Sequence, residues 1–148
     1  MRIALVNSNR KTKLYPIALL KLGAWLKSQN IVCKLFNNEL PKVGEYDEIW
    51  ITTVFTFDMF YVKAMIEASK KMAKKVKVGG ISASLMPDFY RRLGVDVHVG
   101  LHMEAEKSIP DYSLLGFKPE YSIVYTSRGC VRKCKFCMVP KLEPVFTE

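Results

Sequence analysis

A doubly wound α/β fold with a mainly parallel sheet, of the Rossmann-like or flavodoxin-like kind, is what roughly the first 110 residues predict. Two observations carry this. Short apolar runs recur that are too continuous for strands with one wet face. Helix-period segments alternate with them across short, turn-rich links.

Residues 3–6 form the first such run, closed by Asn7-Ser8-Asn9, and predict a central strand followed by a loop. Residues 15–29 are apolar nearly all round, with Pro16 suited to a first helical turn, so a heavily buried helix is expected. Residues 31–36 are β-branched and apolar and lead into Asn37-Asn38, which predicts strand two. Cys33 lies inside it and reads as a small buried hydrophobe. Strand three is predicted at residues 49–51, and a helix at 59–73, where Val62, Met65, Ile66 and Met72 face a core and the lysines point away. Residues 76–78 give strand four. They run into Gly79-Gly80, after which Ser82 or Ser84 would cap a helix to residue 93. Residues 95–99 predict strand five. Residues 110–119 lose the pattern and read as a linker, and 122–125 begin a new strand.

The 148 residues, 49% hydrophobic and 25% charged, suit one ordinary globular domain with an appendage, neither disordered nor fibrous. The apolar start is too short for a signal peptide, and no stretch reaches the roughly 20 apolar residues of a membrane span. A cytoplasmic protein without a membrane partner is expected. Four cysteines then read as metal ligands or buried thiols rather than disulfides. The net charge of +9 comes mainly from dispersed lysines, which suit a solvated face. Nucleic-acid binding through them stays open but is not favoured.

The chemistry concentrates at Cys130, Cys134 and Cys137, spaced C-x3-C-x2-C. Three thiolates can hold three irons of a cubane and leave the fourth iron free, an open position able to bind a cofactor directly. Arg128, Arg132, Lys133, Lys135 and Lys141 surround the cysteines and would lower the cost of a negatively charged cluster. Zinc is the alternative and would require a fourth ligand such as His98 or His102. Each of these histidines reads as structural and receives no role.

With Phe136 in the aromatic place, Cys130-Val-Arg-Lys-Cys134-Lys-Phe-Cys137 resembles the signature of radical S-adenosylmethionine (SAM) enzymes. The resemblance implies that the three cysteines ligate a 4Fe-4S cluster and that SAM chelates the open iron, with Phe136 beside its adenine. An electron delivered through the cluster by a donor protein would then cleave SAM to methionine and a 5′-deoxyadenosyl radical.

Tyr15-Pro16-Ile17, residues 52–57 and Val78-Gly79-Gly80-Ile81 are similar to the cobalamin-binding domain that precedes many radical SAM barrels. By this resemblance Gly79 and Gly80 are cofactor-binding positions. A plain tight strand-to-helix turn accounts for the two glycines equally well. The D-x-H-x-x-G motif of the wider cobalamin family is absent, since Asn7-Ser8-Asn9-Arg10-Lys11-Thr12 follows strand one, and Thr53-Val54-Phe55 stands where S-x-L is common. Cobalamin without a protein lower ligand and an empty scaffold both stay open.

The implied organisation is a cobalamin-binding-like α/β domain at 1–112, a linker at 113–121, and the first strand and cluster loop of an incomplete radical SAM barrel at 122–148. A chain stopping at Glu148 is expected to be part of a longer enzyme, with no catalytic residue of its own, its substrate unknown and methyl transfer one candidate reaction. The rival reading is a zinc- or cluster-bearing basic module that binds nucleic acid.

Overall fold

β1 (Arg2–Asn7) lies at the centre of the sheet because both of its faces are apolar. Ile3 and Leu5 point to one side, Ala4 and Val6 to the other, and all four are fully buried. The computed structural model describes residues 1–148 and pairs β1 in parallel with β2 (Val32–Asn37) and with β3 (Glu48–Thr52). β3 pairs with β4 (Lys75–Gly79), and β4 with β5 (Asp96–Val97). The order β2-β1-β3-β4-β5 is all parallel, the doubly wound architecture that the sequence predicts.

Helices cover both faces. α1 (Ile17–Ser28) places Leu19, Leu20 and Leu26 against Ile3, Leu5 and Leu35. α2 (Met59–Ser69) brings Val62, Met65 and Ile66 onto Ala4, Val6, Ile49, Ile51, Val76 and Val78 on the opposite face, so Met65 is core. Each fully buried Leu, Ile or Val contributes about 1.5–3 kcal/mol of hydrophobic stabilisation. Cys33, on the edge strand β2, has its Sγ 3.6 Å from the Gly23 carbonyl, and burial pushes its thiol pKa up, as suits a packed side chain.

Four local expectations change. The helix predicted after Gly80 is two, α3 (Ile81–Leu85) and α4 (Pro87–Arg91). Pro87 has no N–H to give to the preceding turn, and Met86 leaves helical geometry at φ −130° and ψ 54°. Neither serine caps it: the Ser82 hydroxyl pairs with that of Tyr90 at 2.8 Å, and Ser84 donates to the Gly80 carbonyl at 2.8 Å. β5 has only two residues, because the chain turns away after the His98 N–H reaches the Val78 carbonyl.

Residues 122–125 join no strand ladder. Tyr112 serves Ile123 instead, its hydroxyl accepting the Ile123 N–H at 2.8 Å and donating to the Ile123 carbonyl at 3.3 Å. Beyond these four differences, the stretch after α5 (Met103–Glu106) packs on α1. A 3-10 turn at Tyr112–Leu115 lays Leu114 over Gly23 of α1, Lys27 binds Asp111, and Tyr15 stacks on Tyr121 with ring centres 4.4 Å apart. No helix is long and apolar enough to cross a membrane.

Candidate functional site

In a sheet of this order the carboxyl ends of β1 and β3 mark the topological switch point, where the loops diverge and leave a crevice. Ser8 closes one side of it, its hydroxyl donating to the Thr52 carbonyl at 2.5 Å. Thr53 closes the other. Its hydroxyl donates to the Gly79 carbonyl at 3.0 Å and accepts the Ala83 N–H at 3.0 Å.

Gly80 fits between them with φ 103°, and a Cβ there would run into the Thr53 carbonyl. Its lack of a side chain is thus required by the contact between the β3 loop and the β4–α3 turn. Gly79 has no such constraint, since a Cβ would meet His98 at an ordinary 3.6 Å.

The β3–α2 loop carries Asp58, 95% buried, which takes one hydrogen bond from Arg10 of the β1 loop at 2.8 Å. Arg10 also lies over the Tyr61 ring, 4.0 Å from its centre. Phe57 and Phe60, 65% and 72% exposed, stand beside this edge, with Phe57 stacked on Phe55. Large apolar surfaces left open at a switch point are what a ligand or a further domain would cover.

The cysteines occupy a loop of irregular backbone that ends in α6 (Val139–Leu142), and α6 packs on α3, so the loop approaches the same edge. All four cysteines are free thiols. The Cys137 N–H binds the Cys134 carbonyl at 3.1 Å, and the Arg132 N–H approaches Cys130 Sγ at 3.4 Å. Cys130, Cys134 and Cys137 do not come together as a ready group of metal donors. Phe136 is 87% exposed and Val131 is open to solvent as well.

The base of the loop, by contrast, is tightly organised. Arg128 and Thr147 exchange two backbone hydrogen bonds, of 2.8 and 3.0 Å, in an antiparallel bridge. The Arg128 guanidinium gives Nη1 to Glu143 Oε1 at 2.7 Å and both Nε and Nη2 to Glu106 Oε1, at 3.2 and 2.7 Å. It covers the Tyr125 ring at 3.6 Å from the ring centre. Glu143 Oε2 accepts the Gly129 N–H at 2.7 Å, and Glu106 Oε1 also takes Lys21 Nζ of α1 at 2.8 Å.

Burial favours a neutral Glu106, but hydrogen bonds from Lys21 and Arg128 and the charges of both prevail and hold its pKa below the ordinary carboxylate value. Burial opposes the Arg128 charge as well, yet Glu106 and its other partners raise its pKa. A cleft of about 390 Å³ lies here, lined by Lys21, Glu106, Ile109, Ile123, Tyr125 and Arg128 among others.

Of the basic residues near the cysteines, Arg128 is therefore committed to carboxylates of this chain, whereas Arg132, Lys133, Lys135 and Lys141 have no ion-pair partner. His102 accepts the Ala105 N–H on Nδ1 at 3.3 Å, so it caps α5, and its ring lies 4.6 Å from that of Trp25. Burial, then His98, depresses its pKa. Both features belong to a structural histidine. Glu106, Glu143 and Tyr112 are the participants that sequence reasoning does not find. Neither Glu106 nor Glu143 carries a local signal of Arg128, which lies 22 and 15 positions away in sequence.

No protein-family model matches the chain, and no curated protein matches it. Among solved structures the chain is similar to TsrM, a radical S-adenosylmethionine methyltransferase from Kitasatospora setae determined with its tryptophan substrate and the SAM analogue aza-SAM. Identity is 18%, the TM-score is 0.54, and the match covers 64% of this chain and 22% of TsrM. It is also similar, at 18% identity and a TM-score of 0.45, to a fungal multi-domain GH3 β-N-acetylglucosaminidase with a GCN5-related glucosamine N-acetyltransferase region, over 72% of this chain and 13% of that one. The likeness to TsrM is one of fold: this α/β architecture also occurs in a radical SAM methyltransferase, of which the chain matches about a fifth of the length.

Proposed function

We propose that this chain is the front portion of a radical SAM enzyme. Residues 1–112 would form a cobalamin-binding-like α/β domain, 113–121 the connection, and 122–148 the opening of the radical SAM domain. The observation that carries the reading is the C-x3-C-x-F-C loop, whose three free thiols lie on irregular backbone while its base is fixed beside the carboxyl edge of an α/β sheet.

The donor set fits a 4Fe-4S cluster. Three free thiols within eight residues, with no regular element between them, can turn toward one centre, while the remaining cysteine, Cys33, packs in β2 against the Gly23 carbonyl. Cys130, Cys134 and Cys137 would hold the cluster, which when bound supplies a low-potential electron and an open iron position for SAM. Phe136, exposed beside Cys137, would lie along the adenine. Arg132, Lys133 and Lys135, free of internal partners, would offset the cluster's negative charge and face an acidic electron donor protein.

Cobalamin is the second cofactor of this reading. The exposed Phe57 and Phe60 at the switch point would offer the face of a corrin ring an apolar surface, and the β1 loop offers no histidine to ligate cobalt. Gly80 would let the edge stay low, with Gly79 beside it.

Anaerobic reconstitution with iron and sulfide tests the proposal. About four irons and four sulfides per chain are expected, with most of the iron lost in each of Cys130→Ser, Cys134→Ser and Cys137→Ser but retained in Cys33→Ser. Zinc bound in place of iron, or iron retained without Cys134, would overturn it.

The exposed Arg132, Lys133, Lys135 and Phe136 support a second reading, a basic loop that binds nucleic acid. Affinity for single-stranded RNA that falls steeply with salt would favour it.

A further inference from the structure

The neck of the cysteine loop is more firmly made than the loop itself, and one carboxylate is responsible for closing it. Glu143 divides its two oxygens between consecutive residues. Oε1 takes the Arg128 guanidinium and Oε2 the Gly129 backbone N–H, both at 2.7 Å. The Arg–Gly junction directly before Cys130 is thus gripped by its side chain and by its main chain.

Gly129 is suited to this place on separate grounds. It has φ 74°, and a Cβ there would strike the Val145 carbonyl, so the two sides of the neck pass in backbone contact. The bridge between Arg128 and Thr147 is isolated and has no neighbouring rungs to support it.

On its other side Arg128 meets Glu106, which is also bound by Lys21 of α1 through both its carboxylate and its main-chain carbonyl. The chain Lys21–Glu106–Arg128–Glu143 therefore runs without a break from the first helix of the α/β domain to the far end of the cysteine loop. The guanidinium uses three of its nitrogens in two directions, a task that a lysine ammonium on a flexible stem cannot copy.

We propose that Glu143 is the clasp of the cysteine loop, a positioning residue that closes its neck through Arg128 and Gly129, while Glu106 fastens the closed neck to the α/β domain. Its use rests on the reading of the loop as a cluster site. Gathering three thiols at one centre costs the entropy of the chain that joins them, and a neck already closed reduces that cost. It also fixes where the first thiol, Cys130, stands relative to the sheet edge. Arg128 has no free charge left for a cofactor carboxylate, so that role falls to the unpaired bases beyond it.

The test compares the whole chain with Glu143→Gln, Glu143→Ala and Arg128→Lys by two readouts. In the metal-free protein, backbone hydrogen exchange at Gly129 and Thr147 is expected to quicken about tenfold in Glu143→Ala and less in Glu143→Gln, while exchange in β1 and β3 and the urea midpoint stay unchanged. In the reconstituted protein, an iron chelator is expected to strip iron at least about threefold faster from these variants than from the parent. Parent-like exchange in Glu143→Ala overturns the clasp, and so does parent-like stripping. If the parent itself takes up no iron, the cluster reading fails and the exchange rates alone decide whether Glu143 closes the neck.

Discussion

Single residues show how much of this site is demanded by the fold alone. Gly80 adopts φ 103° against the Thr53 backbone, so Gly80→Ala is expected to cost about 2–3 kcal/mol in urea unfolding. Gly79→Ala, with open room and ordinary φ, should cost less than about 1 kcal/mol. Equal effects would mean that Gly80 is not held by the Thr53 contact.

His102 gives a pH prediction. Its folded pKa is depressed, so the unfolded chain takes up the proton first, and stability falls as pH drops below about 6.5 toward the lower folded value. Protonation also removes the Nδ1 acceptor that caps α5. His102→Asn, which keeps a capping oxygen and does not titrate, should flatten the urea midpoint between about pH 7 and pH 5. A slope unchanged in His102→Asn would assign the dependence to other groups.

At the scale of elements, what can be read from sequence and what cannot divide by range. β1 is legible because Ile3, Ala4, Leu5 and Val6 are apolar without alternation, which only a strand covered on both faces explains. α2 is legible from Val62, Met65 and Ile66 at helical spacing. The break at Pro87 is not read from the sequence, where one helix to residue 93 is expected, although the missing N–H is its physical cause.

Residues 122–125 are a different case. Their β-branched pattern is that of a strand, but a ladder needs a partner, and pairing is not local information. The Tyr112 hydroxyl takes the place of one rung. Tyr112→Phe is therefore expected to speed hydrogen exchange at Ile123 severalfold and leave exchange in β1 unchanged. No change at Ile123 would mean that the segment is held by other contacts.

Across the whole molecule, the α/β domain and the cysteine loop are joined by charge as well as by packing. The three cysteines announce themselves by spacing. Glu106 and Glu143 do not, because Lys21 and Glu106 lie 85 positions apart and only folding brings them to one arginine. The pKa of Glu106, held below the ordinary carboxylate value, gives its own contacts with Lys21 and Arg128 an acid limit. Its contribution is complete above the ordinary carboxylate value of about 4.3 and is lost as pH falls through the lower folded value. Amide resonances of Gly129 and Thr147, followed from about pH 6 into acid, should hold steady down to the ordinary carboxylate value, shift and broaden only below it, and recover on return. A junction intact at the acid limit would place the coupling elsewhere.

The proposed cubane, held by three thiolates with one iron left open to SAM, is probed by adding SAM to the reduced, reconstituted chain. Electron paramagnetic resonance is expected to show a cluster signal that changes on adding SAM and is absent when Cys130, Cys134 and Cys137 are all replaced by alanine. A cluster whose signal ignores SAM, or one that survives the loss of all three cysteines, would rule out an open iron held by this loop.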